Sequence, residues 1–217
     1  MKKLFTAIRH GDLETVLSLL ERKPQLISCT AKQPPKKDDG QSPLQVAVKC
    51  RQTEIANELI DRGANVNFME QESRNEWKAP VLHDAIRAAV MGSGSASSFD
   101  GETYTEWSTK EESDATFRIL QRILENGADV KKTDSYGNTV LDRLVLDVTS
   151  ILPRYDWRTD TIGTEFIVTD RLRGDLTRIF YLLQEYGVNL NQYSDIICMN
   201  VLDFFAKYEI LIEKRSE

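Results

Sequence analysis

The chain has 217 residues, 41% of them hydrophobic, enough to bury a continuous core as one substantial domain or two small ones. Its net charge is −6, and the nearest thing to a basic cluster, Lys32 to Lys37, is followed directly by Asp38 and Asp39. Nucleic-acid binding draws most of its affinity from a basic stripe, and none is present, so that function class is not expected.

In chain order, the first apolar stretch after Met1-Lys2-Lys3 runs only from Leu4 to Ile8 before Arg9 and His10 interrupt it. That is too short for a signal peptide, and no run approaches the roughly 20 apolar residues that span a membrane. Cys29, Cys50 and Cys198 are odd in number and widely spaced. This spacing does not suggest a disulfide framework or a metal knuckle, and it fits a reducing, cytoplasmic setting.

The segment 40–67 reads GQSPLQVAVKCRQTEIANELIDRGANVN. Gly40 closes a turn after Asp38 and Asp39. Ser42 is a good helix N-cap and Pro43 suits the first helical position, where its missing N–H costs nothing. Leu44, Ala47 and Val48 give one apolar face, and Ile55, Ala56, Leu59 and Ile60 give the stripe of a second helix after a turn at Arg51-Gln52. Gly63 sits where a glycine stops a helix. Two short antiparallel helices cannot bury their faces alone, so neighbours must stack on them.

The head of this phrase returns as PVLHDAI from Pro80 and GNTVLDRL from Gly137, and its tail as LENGADV ending at Val130 and QEYGVNLN ending at Asn191. Recurrence of this kind marks a stack of similar units. From Gly40 to Gly63 the spacing is 23 residues, whereas from Gly137 to Gly187 it is 50, and from Lys78, at the turn-glycine position of the third unit, to Gly127 it is 49. Two units therefore carry insertions of nearly equal size between first and second helix. The spacing predicts a helix to Met91 stopped by Gly92, a second helix entered through a Thr109–Glu112 capping box, a helix through Val145, Val148 and Ile151 to Pro153, and another capped by Asp170. Loops remain over 92–108 and 153–169, the first opening on a flexible Gly/Ser run. Loops this long in a compact domain are usually functional or disordered.

The residues Ser42-Pro43-Leu44-Gln45-Val46-Ala47 and Gly63-Ala64-Asn65-Val66-Asn67 resemble the ankyrin repeat, with its T-P-L-H-x-A helix start and terminal G-A-x-V-N. The unit from Leu4 to Leu20 resembles an N-terminal cap that lacks the leading turn, and Asn200 to Ile212 a truncated closing unit. The resemblance implies an all-α, ankyrin-type helical repeat solenoid with enlarged helix–helix loops in repeats three and four. It covers 1–217 as a single domain with approximate units 1–36, 37–69, 70–131, 132–192 and 193–217. It also implies that His83, at the family's histidine position, is structural, bonding between repeat turns. His10, beside a helix–helix turn, reads as a surface residue.

The resemblance implies that a partner binds at turn tips and on the inner face of the first helices. Those positions are Asp38, Asp39, Gln41, Lys49 and Cys50; then Glu76, Trp77, Ala79, Arg87 and Ala88; then Ser135, Tyr136, Asn138, Leu146 and Asp147. Trp107 and Trp157 fall one in each insertion, with Tyr104 and Tyr155 near them. Neighbouring repeats bring the insertions together, where these aromatics close a satellite core, stand exposed as partner anchors, or do both.

The two histidines are far apart, the cysteines are scattered, and Gly92-Ser93-Gly94-Ser95 lacks the Gly-Lys-Ser/Thr of a phosphate loop. The expectation is a non-enzymatic module without metal or cofactor, monomeric, that binds a protein as scaffold, adaptor or inhibitor. Alternatives are an immunity protein neutralising a toxin or enzyme, a small-ligand binder or enzyme with a pocket built by the insertions, and a homo-oligomer joined through them.

Overall fold

The computed structural model describes residues 1–97, 105–164 and 166–210. These are mainly helical, and the only strands among them form three hairpins with two residues per strand. The chain divides into two compact units interleaved in sequence, one of residues 1–88 and 118–139, the other of 89–117 and 140–217.

The first unit holds helices α1 (Lys2–His10), α2 (Leu13–Arg22), α3 (Pro43–Lys49) and α4 (Thr53–Asp61), with the first part of α5 (Val81–Met91) and the last part of α6 (Lys110–Glu125). The apolar positions read from the sequence form its core: Leu44, Val46, Ala47, Ile55, Ala56 and Leu59 are buried, as are Ile119, Leu120 and Ile123. Ser42 and Gln45 form a capping box with Pro43 at the first helical position, which satisfies the orphan N–H groups of α3. At the end of α4, Gly63 has φ 81° and donates to Ile60 O, while Ala64 donates to Leu59 O. That pair of bonds is the Schellman arrangement, which needs a left-handed residue. Two residues on, Asn65 Oδ1 accepts from the Asn67 N–H at 2.9 Å. The same glycine stop followed by the same turn recurs at Gly127 with Asp129, and in the second unit at Gly187 with Asn189. The repeat is thus visible as recurring backbone chemistry.

Below the turns of the first unit lies a buried polar cluster. Gln45 Nε2 is within hydrogen-bond distance of Ala79 O (2.8 Å), Asp84 Oδ2 (3.1 Å) and Glu70 Oε2 (3.2 Å). Burial pushes the Asp84 carboxyl up to about 7; Lys49 and Arg87 pull it down, and Glu70 adds to the rise. His83, on the same helix, is fully buried, whereas His10 is exposed.

The second unit holds α7 (Val140–Thr149), α8 (Asp170–Glu185) and α9 (Val201–Ala206), with the remaining turns of α5 and α6. Phe180 and Phe205 lie 4.7 Å apart at the centre of its core. Two hairpins occupy the insertions, β1 (Ala96–Ser97) with β2 (Thr105–Glu106) and β3 (Tyr155–Asp156) with β4 (Thr161–Ile162); a third pairs β5 (Tyr193–Ser194) with β6 (Met199–Asn200).

The expected capping box is present, with Thr109 and Glu112 bonded reciprocally at 2.8 and 3.2 Å. Three expectations are corrected. The α7 helix stops at Thr149, short of Ile151; in its last turn Thr149 Oγ1 donates to Val145 O and Ser150 Oγ to Asp147 O. The cap of α8 is Thr169, whose hydroxyl accepts from Leu172 N; Asp170 is its first residue. Residues 92–96 of the Gly/Ser run are buried and hydrogen-bonded: Gly94 N donates to Asp175 Oδ2 at 3.0 Å, and Ser108 Oγ lies 2.8 Å from the carbonyls of both Gly92 and Ser93.

Candidate protein-interaction site

Three successive turns of the first unit carry the residues expected to meet a partner, and local bonds hold them in place. The turn before α3 closes through Gly40 N to Ala31 O and Ala31 N to Gln41 O. The turns at 76–78 and 134–138 are tied to one another. Ser135 N donates to Lys78 O and Lys78 N to Ser135 Oγ, both at 2.9 Å, while Trp77 Nε1 donates to Asp134 Oδ2 at 2.6 Å. Asp134 also receives the N–H groups of Tyr136 and Asn138 and the Asn138 side-chain amide. Burial pushes the Asp134 carboxyl up, but the hydrogen bonds from Asn138, Trp77 and Tyr136 together outweigh it and hold the group below the usual carboxylate range. The indole of Trp77 is therefore fixed by an ionised acceptor and only half-buried.

These turns enclose a hollow of about 460 Å³ lined by Lys36, Lys37, Gln41, Lys49, Asn75, Glu76, Trp77 and Tyr136. Tyr136 is 65% exposed. Lys49 Nζ donates to Lys37 O at 3.1 Å and Gln41 Oε1 at 3.0 Å, both neutral acceptors.

Some expected contact residues are not available. Asp38 is 2% exposed and ion-paired with Arg9 at 2.8 Å. Gln41 is 3% exposed, its side-chain oxygen engaged by Lys49. Ala79 and Ala88 are buried, as is Asp147, which forms a bidentate pair with Arg143 at 2.7 and 2.6 Å. Asp38 is claimed by a distant arginine, whereas Gln41 and Asp147 are claimed by partners within their own repeat. Asp39 is half-buried, its carboxylate accepting the Arg74 N–H, a bond that holds its pKa down. Lys49, Cys50 and Asn138 are half-buried, Leu146 likewise, and Glu76, Arg87 and Ser135 are exposed.

Among the described residues, the aromatics of the insertions belong to the second unit, and neither tryptophan is buried in a satellite core. Trp157 is 72% and Trp107 59% exposed. The insertions are nevertheless adjacent: Ile167 N donates to Ala96 O, Arg171 pairs with Glu106, and Trp107 meets Phe166 edge-on at 5.9 Å. Tyr155 is engaged locally, edge-on to Phe204 at 6.2 Å, with its hydroxyl on Asp160. Tyr104 lies outside the described residues. Beside Trp157 runs an apolar groove of about 850 Å³, bounded by Pro153, Phe166, Ile196, Met199, Phe204 and Tyr208. Of the two insertions only the second lines this groove, through Trp157 and Phe166; no described residue of the first does. Sequence reading missed both Lys36 and Lys37 as site residues and the β5–β6 side of the groove. No local signal marks the former, because what frees the lysines is an arginine 29 residues away that takes Asp38.

Residues 3–70 match the family model for ankyrin repeats, in three copies. This stretch is an ankyrin-repeat array. Ankyrin repeats generally mediate protein–protein contacts and are typically non-enzymatic. No curated protein matches the chain. Among the described residues no helix is long and apolar enough to cross a membrane, and no group of three or more His, Cys, Asp or Glu could hold a metal ion. The three cysteines are free thiols.

Proposed function

We propose that the chain is a non-enzymatic, cytoplasmic, monomeric interaction module. Its ankyrin-type repeat solenoid extends past residue 70 and engages one protein partner through the turn tips. The observation that carries this reading is the hollow itself. Residues of three successive turns converge on it, the turns are cross-bonded so that little ordering remains to be done on binding, and a tyrosine and a half-buried tryptophan supply the side-chain types that dominate binding hot spots. A pre-formed surface of this kind suits a scaffold or an inhibitor equally.

The groove beside Trp157 supports a second reading, a small-ligand site, since its size and apolar lining match ordinary ligand pockets.

Site-specific crosslinking separates the two. A photo-reactive phenylalanine analogue at position 136 should trap a protein from an extract of the source cells, and the same analogue at position 157 should not. Trapping at 157 alone would overturn the tip reading by moving the protein contact to the insertion, and trapping at neither position would favour the groove as a small-ligand site.

A further inference from the structure

We propose that the tip hollow takes an acidic peptide segment, its carboxylates against Lys36, Lys37 and Lys49 and a neighbouring apolar side chain against Trp77 and Tyr136. The proposal rests on the tip-binding reading and names the chemistry of the partner.

The charge balance in space differs from the balance along the chain. Asp38 and Asp39 follow the two lysines directly and would neutralise them in an extended chain. In the fold, Asp38 turns inward to Arg9, and the Asp39 carboxylate is taken by the Arg74 N–H. Neither lines the hollow, which leaves three lysines against a single carboxylate, Glu76. Among the described residues, no ion pair involves Lys36, Lys37 or Lys49. The Lys49 ammonium is positioned by two neutral oxygens, and the buried Asp84 carboxyl, whose pKa it pulls down, forms no ion pair with it. A molecule of net charge −6 thus presents a locally cationic concavity, and such a concavity focuses its field on an anion entering it. The aromatic wall adds what charge alone lacks, an apolar contact that holds the peptide in register.

A polynucleotide fits less well. Phosphate binding needs cations spaced along a strand, whereas these converge in one hollow of about 460 Å³, and the acidic remainder of the molecule repels a long polyanion.

The test is fluorescence anisotropy with a short labelled peptide rich in glutamate around one central leucine, beside its glutamine counterpart and a labelled oligothymidylate. The glutamate peptide should bind at least about tenfold more tightly than the glutamine peptide and weaken with added salt. Lys36→Gln with Lys37→Gln, both exposed, should weaken it about fivefold without changing the melting temperature. Adding Lys49→Gln should weaken it further; because that substitution removes two internal bonds, the double variant alone suffices if the triple one unfolds. Equal binding of both peptides, binding of neither, or tighter binding of the oligothymidylate would overturn the proposal. Should the peptide fail while crosslinking at position 136 still traps a protein, the tip surface stands and only the acidic chemistry falls.

Discussion

The turn tips of the first unit and the second insertion of the other unit both expose aromatic side chains, yet they hold them in opposite ways. Trp77 is fastened by a 2.6 Å bond to a carboxylate that three other N–H groups keep ionised. Trp157 is 72% exposed, with the adjacent guanidinium of Arg158 5.1 Å from its ring centre. The tips form a polar, cationic hollow on a rigid base, while the insertion borders an apolar groove. An exposed aromatic therefore means different things in the two places: at the tips it is one wall of a pre-organised site, and in the insertion it is a side chain whose ordering would have to be supplied by whatever binds.

The largest expected effect bears on the base beneath the tips. Asp84 has its pKa raised from 3.8 to about 7 by burial. A raised folded-state value favours the folded protein below pH 3.8, and that contribution is lost as pH climbs through 7. At pH 8 the buried charge should cost about 3–4 kcal/mol relative to pH 4. Asp84→Asn should therefore melt at higher temperature than the wild type at pH 8, with the gap shrinking toward pH 5. A gap that does not vary with pH would mean Asp84 is ionised throughout. The groups facing it, Lys49, Arg87, Glu70 and Gln45, are common to both proteins, so the difference isolates one carboxyl.

Next in size is Asp134→Ala, which removes an acceptor of the Trp77 indole N–H and of two backbone N–H groups. Loss of about 2 kcal/mol in denaturant unfolding is expected, together with weaker partner binding. Unchanged binding would show that the fastening is not needed for recognition. Tyr136→Ala should cost under about 0.5 kcal/mol of stability but weaken binding about tenfold or more. If affinity survives, the contrast between the two regions collapses. Smallest of all, Trp157→Ala should leave both stability and partner affinity within error. A loss of affinity there would make the insertion part of the same interface.

Much of the backbone was legible in the sequence. Gly40, Gly63, Gly127, Gly137 and Gly187 all adopt positive φ, because a helix stop or tight turn leaves few other residues comfortable there. The Ser42 cap and the Thr109–Glu112 box are also where composition placed them, since capping is decided within four residues. The site was legible only in part. Trp77 and Tyr136 stood out as aromatics outside the core pattern, and both line the hollow. Asp38 and Gln41 did not reveal that they are buried, and Lys36 and Lys37 did not reveal that they lack counter-charges. Those facts depend on Arg9 and Lys49 reaching across the fold, and nothing in a local pattern encodes the far partner of a charge. The Ser93–Ser95 run misled in the same way, because small polar residues read as a linker until Asp175 and Ser108 arrive from distant elements to bond them.

The unequal seating of the tryptophans gives the protein an optical reporter of its own. Trp107 and Trp157 face water, so their emission should be red-shifted and open to quenching by iodide. Trp77, half-buried against a carboxylate, should form a bluer and shielded population. An occupant of the tip hollow would change that shielded fraction alone, while one in the groove would protect a quenchable one. The unmodified protein can thus show by its own light which of these two concave surfaces has been filled.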